Sequence, residues 1–109
     1  MENISENIRT QMRKGLLEYC ILRILSNEEA YASSIIEALK GAKMIVVEGT
    51  LYPLLIRLKN QQLLSYRWEE STQGPPRKYY GITDKGKEVL SDMDFAWNEI
   101  VETIQKLKQ

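Results

Sequence analysis

Apolar residues step along the start of the chain at four-residue intervals, Ile4, Ile8, Met12 and Leu16, the spacing of one helix face from about Ser5. From Leu16 to Leu25 they cover almost every side, with Leu17, Tyr19, Cys20, Ile21, Leu22 and Ile24 between. A helix apolar all round is a central, buried one. "SNEEA" breaks the pattern with polar residues, and a short helix follows with Ile35, Ile36 and Leu39 on one face, ending near Gly41. "AKMIVVE", residues 42–48, is apolar and β-branched and reads either as a loop packed on the core or as a short strand. "EGTLYPLLIRLKNQQLL", residues 48–64, then restores helical spacing through Leu51, Leu54, Leu55 and Leu58. Pro53 is compatible with a third helix that starts between Glu48 and Thr50, because first-turn N–H groups have no intrahelical acceptor; Thr50 is its expected cap.

After Leu64 the period changes from 3.6 to 2. "LSYRWEES" sets Tyr66, Trp68 and Glu70 against Ser65, Arg67 and Glu69, "TQGPP" is a turn, and "RKYYGI" is a second extended run. The expectation is a two-stranded hairpin with a proline-rich tip that leans on the helices. Thr83 then reads as the N-cap of a last helix, with Asp84 in its first turn at the positive end of the dipole. Its stripe runs through Val89, Leu90, Met93, Ala96, Trp97, Ile100, Val101, Ile104 and Leu107. At ~1.5 Å per residue such a helix spans roughly 35 Å, more than so small a body needs. Pairing with its copy in a second subunit is the expected solution, with Ile4, Ile8, Met12, Met93, Trp97, Ile100, Val101 and Ile104 as the interface.

The fold class expected is therefore mainly α with a small β-hairpin. Three helices, a hairpin and a further helix are the order of a winged helix-turn-helix over residues 1–83, followed by a C-terminal dimerisation helix over 84–109. In that fold the third helix enters the DNA major groove. Its leucines would hold it to the core and leave Thr50, Tyr52, Arg57 and Lys59 facing outward.

Composition narrows the chemistry. The 109 residues contain no histidine and a single cysteine, Cys20, inside an apolar run where it reads as a buried small hydrophobe. With no recognisable carboxylate pair and no phosphate-cradling glycine loop, catalytic, metal and cofactor sites are not expected. No apolar run is long enough to span a bilayer, and the first residues lack the order of a signal peptide, so a cytoplasmic protein without membrane contact is expected. Net charge is zero, but its distribution is not uniform. Residues 40–87 carry nine basic and four acidic side chains, whereas residues 88–105 carry five acidic and no basic ones. A basic middle beside an acidic tail is the footprint of a surface built for a polyanion.

"GTLYPLLIRL" (49–58) and "GPPRKYYGITDKG" (74–86), preceded by "AYASSIIEAL", resemble the PadR family of bacterial transcriptional repressors over roughly Arg13 to Leu107. The resemblance is to its small subfamily, which includes a multidrug-binding lactococcal repressor. It implies a homodimer on palindromic operator DNA. It also implies that Tyr52, with Thr50 beside it, faces DNA and that Arg77, Lys78 and Tyr79 form the wing motif, the cations on phosphate. In an alternating strand either Tyr79 or Tyr80 must point inward. Arg57 is either a DNA contact or a partner in an internal salt bridge. Ser33, Ser34, Lys43 and Lys59 are candidates for backbone contacts that position without specifying sequence. Trp97 matches a tryptophan that the multidrug-binding member uses to sandwich flat aromatic drugs, with Tyr19 and Asp94 the expected neighbours; the other reading is that it fills the dimer interface.

Two departures stand out. Where many members have a glutamate after "RL" and a glycine before the last apolar pair, this chain has Lys59 and Gln62, and Gln62 at a helix end needing positive φ would be strained. The glycine often found in the second helix is replaced within "AYASS". The functional expectation is a dimeric DNA-binding repressor, with a planar hydrophobic or cationic ligand as the candidate effector. The alternatives are a winged-helix module that binds protein, or a small-molecule sequestering protein centred on Trp97.

Overall fold

A computed structural model describes residues 3–71 and 74–109; the expected turn residues Thr72 and Gln73 lie outside the described residues. The element order is α1 (Ile4–Leu25), β1 (Ala30–Tyr31), α2 (Ala32–Gly41), α3 (Glu48–Asn60), β2 (Leu64–Ser71), β3 (Gly74–Ile82) and α4 (Asp84–Leu107). The hairpin is present, but the sheet has three strands in the order β1-β3-β2, all antiparallel. β1 is two residues long, too short for any periodicity to register. "AKMIVVE" is the loop option: residues 42–47 form no regular element, and Val46 plugs into the core.

Asn3 caps α1 by accepting from the Glu6 N–H at 3.0 Å. Only the C-terminal part of α1 is central: Leu17, Ile21, Leu22 and Leu25 are buried, while Ile4, Ile8 and Met12 are exposed. The core closes with Ile35 and Leu39 of α2, Leu51, Leu55 and Leu58 of α3, Leu64 and Tyr80 of the sheet and Leu90 of α4. Burial of seven of these side chains is essentially complete, so helices, sheet and the first half of α4 share one hydrophobic cluster.

α2 and α3 end in the same way. Lys43 and Gln62 both adopt φ of 65°, the left-handed conformation glycine takes without strain. The next N–H reaches back five residues, Met44 to the Leu39 carbonyl at 2.7 Å and Leu63 to the Leu58 carbonyl at 3.0 Å. Met44 and Leu63 each pack on the core, and that contact holds the strained residue in place. The sequence expectation for Gln62 therefore stands.

The start of α3 differs from expectation. Val47, not Thr50, is the N-cap, and it makes no side-chain cap; its carbonyl accepts from the N–H groups of Thr50 (3.0 Å) and Leu51 (3.1 Å). Thr50 is already the third helical residue. Pro53 lies beyond the first turn, on the exposed side, where the Gly49 carbonyl that loses its donor meets water.

Candidate nucleic-acid interface

α3 buries Leu51, Leu55 and Leu58 and turns Glu48, Gly49, Thr50, Tyr52, Pro53, Ile56, Arg57, Lys59 and Asn60 to solvent. Beside it stands the hairpin. Its register pairs Tyr66 with Tyr80 and Trp68 with Lys78 on the face that meets the helices, and Arg67 with Tyr79 and Glu69 with Arg77 on the opposite face. Period-2 alternation settles the tyrosine question: Tyr80 is the core residue and Tyr79 points to the outer face. Burial pushes the Tyr80 phenol above its ordinary pKa, with Tyr52 and Tyr66 adding to the effect.

Between α3 and the wing opens a cleft of about 410 Å³, lined by Tyr52 and Ile56 from the helix, Trp68, Pro76, Arg77 and Lys78 from the wing, and Ser33 from α2. The Lys78 ammonium sits 4.6 Å from the Tyr66 ring centroid and 5.6 Å from that of Trp68, and Lys59 approaches the same Tyr66 ring at 5.8 Å. The Arg77 guanidinium lies 4.1 Å over Tyr31. An aromatic face holds a cation without neutralising it. Among the described residues no carboxylate comes within ion-pair distance of Lys59, Arg77 or Lys78. Lys59 and Lys78 thus share the Tyr66 ring, Arg77 reaches the edge of the cleft over Tyr31, and all three charges stay unpaired, with Glu48 on the cleft wall.

Other expected contacts are arranged differently. Arg67 is engaged by Glu29 at 3.6 Å and by Glu69, and its guanidinium stacks 4.8 Å from the Tyr79 ring. Tyr79 packs edge-on against Tyr31 and pairs with Arg67 on the sheet's outer face, and it does not line the cleft. Arg57 takes the internal salt bridge, 3.7 Å from Glu18 of α1, on the side of α3 away from Tyr52. Ser34 and Lys43 are exposed but do not line the cleft. Trp68 and Ile56 do line it, although composition and charge do not single them out. The signal was available in the strand alternation, which puts Trp68 on the face of Tyr66.

A second concavity, about 620 Å³, runs between α1, α3 and α4, with Tyr19, Met93, Trp97 and Ile100 along it and Arg57 and Lys85 at its polar end. Trp97 is 39% exposed. Asp94 does not line this groove. Its Oδ1 accepts from the Tyr19 hydroxyl at 2.5 Å, and its Oδ2 from Arg23 at 3.3 Å, tying α4 to α1. The hydrogen bond to Asp94, helped by burial, raises the Tyr19 pKa above 10.0. Of the expected interface residues, Ile4, Ile8, Met12, Trp97, Ile100, Val101 and Ile104 are exposed, whereas Met93 is half-buried on its own core. Among the described residues no acidic or cysteine cluster could hold a metal ion, and no helix is long and apolar enough to cross a membrane.

Solved structures of the same architecture come from several bacteria. A PadR-like transcription factor of Bacteroides fragilis is 60% identical, with a TM-score of 0.79 over 93% of this chain and 98% of that one. A PadR family regulator of Eggerthella lenta is 33% identical, with a TM-score of 0.86 over 97% and 89%. A PadR-like regulator of Bacillus cereus is 42% identical, with a TM-score of 0.78 over 91% and 97%. An uncharacterised protein of Lysinibacillus sphaericus is 29% identical over 100 residues, 89% of this chain and 92% of that protein. Residues 21–92, from the buried half of α1 through the first turns of α4, match the PadR-like transcriptional regulator family. With its helices, wing and cationic cleft in this arrangement, the chain belongs to the PadR-like family of transcriptional regulators, which are DNA-binding transcription factors and not enzymes.

Proposed function

We propose that the protein is a homodimeric repressor that occupies a palindromic operator through α3 and the wing of each subunit. The observation that carries this reading is the cleft: Arg77 and Lys78 line it on aromatic rings, beside the exposed Tyr52, and neither they nor Lys59 next to it is ion-paired among the described residues, Glu48 being the one acid on the cleft wall. Cations on phosphate supply affinity and register, and the residues of α3 that reach base edges supply specificity. The exposed apolar row Trp97, Ile100, Val101 and Ile104, with Ile4, Ile8 and Met12, supports the dimer. Two copies related by a two-fold axis present two α3 helices to half-sites about one DNA turn apart.

The groove beside Trp97 favours a second component of the reading, an effector site for a planar hydrophobic or cationic molecule. Its aromatic and thioether walls suit a flat ligand. Occupancy would reset the spacing of the two α3 helices and release the operator.

The test is fluorescence anisotropy of the labelled DNA upstream of this protein's own gene, titrated at two salt concentrations. Sequence-selective binding that weakens with salt supports the repressor reading. A folded dimer that binds no DNA at low salt points instead to a protein partner or to ligand sequestration. Quenching of Trp97 by planar cations, with Trp97→Phe as the control for Trp68, then separates those two.

A further inference from the structure

The segment "GPPRKYYGITDKG" continues past the wing cations into "ITDKG", and those last residues have no part in the cleft. They meet the end of α3. The last carbonyls of a helix have no intrahelical donor and carry the negative end of its dipole. The N–H groups of Gln61, Gln62 and Leu63 take three of these carbonyls of α3, those of Arg57, Lys59 and Leu58. The carbonyls of Gln61, Gln62 and Leu63 are in turn taken by residues at the start of α4. The Thr83 N–H donates to the Leu63 carbonyl at 3.1 Å, the Thr83 hydroxyl donates to the Gln62 carbonyl at 2.7 Å, and the Lys85 ammonium donates to the Gln61 carbonyl at 3.1 Å.

The same Thr83 hydroxyl accepts from the Gly86 N–H at 2.9 Å, as the cap of α4. One hydroxyl, using its single donor and a lone pair, therefore joins the C-terminal end of α3 to the N-terminal end of α4. The backbones are also in direct contact. A Cβ at Gly86 would lie 2.2 Å from the Leu63 carbonyl oxygen and 2.7 Å from Ile82 Cγ1, so any side chain there must push α4 away from the turn that ends α3.

We infer that Thr83, Lys85 and Gly86 are positioning residues that fix the angle between α3 and α4. This rests on the proposal that α4 pairs the subunits and α3 reads DNA. α4 would set where the partner is, and α3 where the half-site must be, so the junction fixes the separation of the two recognition helices. The leverage is considerable. Thirteen residues make α3 about 20 Å long, and a swing of roughly 10° at its end moves the tip by about 3.5 Å, close to one base-pair rise. Gln61, Leu63 and Lys85 also form one end of the groove that holds Tyr19 and Trp97, so a molecule seated there touches the junction itself.

The test uses Thr83→Val, Gly86→Ala and the conservative Thr83→Ser in the full chain, with folding checked by circular dichroism. Nitroxides on N60C and D92C in a C20S background report the α3–α4 distance by pulsed dipolar spectroscopy, with labelled chains diluted in a large excess of unlabelled ones. Thr83→Val and Gly86→Ala should at least double the width of that distribution, and Thr83→Ser should leave it narrow. A narrow distribution in both disruptive variants overturns the inference.

On DNA, the wild type should prefer its operator over versions with one base pair inserted or deleted between half-sites by about tenfold or more, and the folded disruptive variants by less than about threefold. A merely structural loss would lower affinity for all spacings alike and leave the preference intact, and that outcome also overturns it. If the wild type binds no DNA, the repressor reading fails by itself, and the distance measurement alone decides whether the junction holds the two helices. If Gly86→Ala does not fold, the distance distribution of Thr83→Val decides in its place.

Discussion

Replacing Lys78 by methionine removes one charge from the cleft and keeps most of the side-chain stem. The structure sets the size of both consequences. Lys78 is half-buried and its ammonium rests on Tyr66 and Trp68 at 4.6 and 5.6 Å. A cation on an aromatic face at such a site contributes about 0.5–1 kcal/mol, so the folded state should lose no more than that. The effect on DNA is larger and depends on salt. Each neutralised phosphate contributes about 0.9 to the slope of log affinity against log salt, so losing one contact costs about eightfold at ~0.1 M salt and almost nothing extrapolated to ~1 M. Anisotropy titrations of the upstream DNA from ~0.05 to ~0.3 M salt would read both numbers. A uniform loss at every salt concentration with an unchanged slope would refute the reasoning, because Lys78 would then act by shaping the wing and not by meeting phosphate.

Gln62→Gly should raise stability by about 1 kcal/mol in urea unfolding, since Gln62 holds φ at 65° where glycine carries no strain; an unchanged or lower midpoint would show that its side chain does more than end α3. Asp94→Asn should cost about 1 kcal/mol at pH 7, a modest figure because Asp94 is about a third exposed in its contact with Arg23. The Tyr19 pKa is raised, so the stability it contributes is fully present below pH 10.0 and is lost as pH rises through its folded value. The gap between wild type and Asp94→Asn should therefore narrow above pH 10.0, and a gap that widens there would contradict the assignment. Ile104→Glu puts a charge in the exposed apolar row of α4 and should give a folded monomer by sedimentation equilibrium; an intact dimer would move the interface elsewhere.

α2, α3 and the second half of α1 were legible because each buries a face wide enough to mark the sequence, whereas the first half of α1 and most of α4 showed through apolar stripes that stay exposed. Ile35 with Leu39, and Leu51 with Leu55 and Leu58, are the residues both periodicity and burial pick out. β1 was not legible: Ala30 and Tyr31 owe their extended pairing to Tyr80 and Tyr79, some fifty residues away, and carry no local signal. The start of α3 was misplaced for a related reason. Thr50 has the side chain of a good cap, but the burial of Val46 and Leu51 sets where the chain turns, and that puts the apolar Val47 at the cap. Within the cleft, Arg77 and Lys78 followed from charge, as did Lys59 beside it, whereas Trp68 required the register with Lys78. Arg57 shows the limit of charge alone, since the neighbouring positions 56 and 57 of α3 face the cleft and an acid on α1 respectively, a difference of about 100° of helix rotation.

A net charge of zero and a polyanionic partner are compatible because the basic wing and the distal carboxylates of α4 lie on different parts of the fold. Seven of the nine basic residues of 40–87 lie on α3, the wing and the start of α4, with Lys40 and Lys43 at the end of α2, while the acidic run of 88–105 extends along α4. Asp94 in that run is already matched by Arg23. Glu99 and Glu102 stand about 22 Å or more along the axis from the helix start, at ~1.5 Å per residue. The Debye length is about 10 Å at 0.1 M salt, so a phosphate held by Arg77 and Lys78 would be largely screened from carboxylates so far along α4. Near 0.01 M the Debye length grows to about 30 Å and the acidic helix enters the same field. Affinity should then rise less steeply on dilution of salt than phosphate contacts alone dictate. On this prediction the acidic helix would limit non-specific attachment where electrostatics are strongest and leave specific contacts intact where ionic strength is physiological.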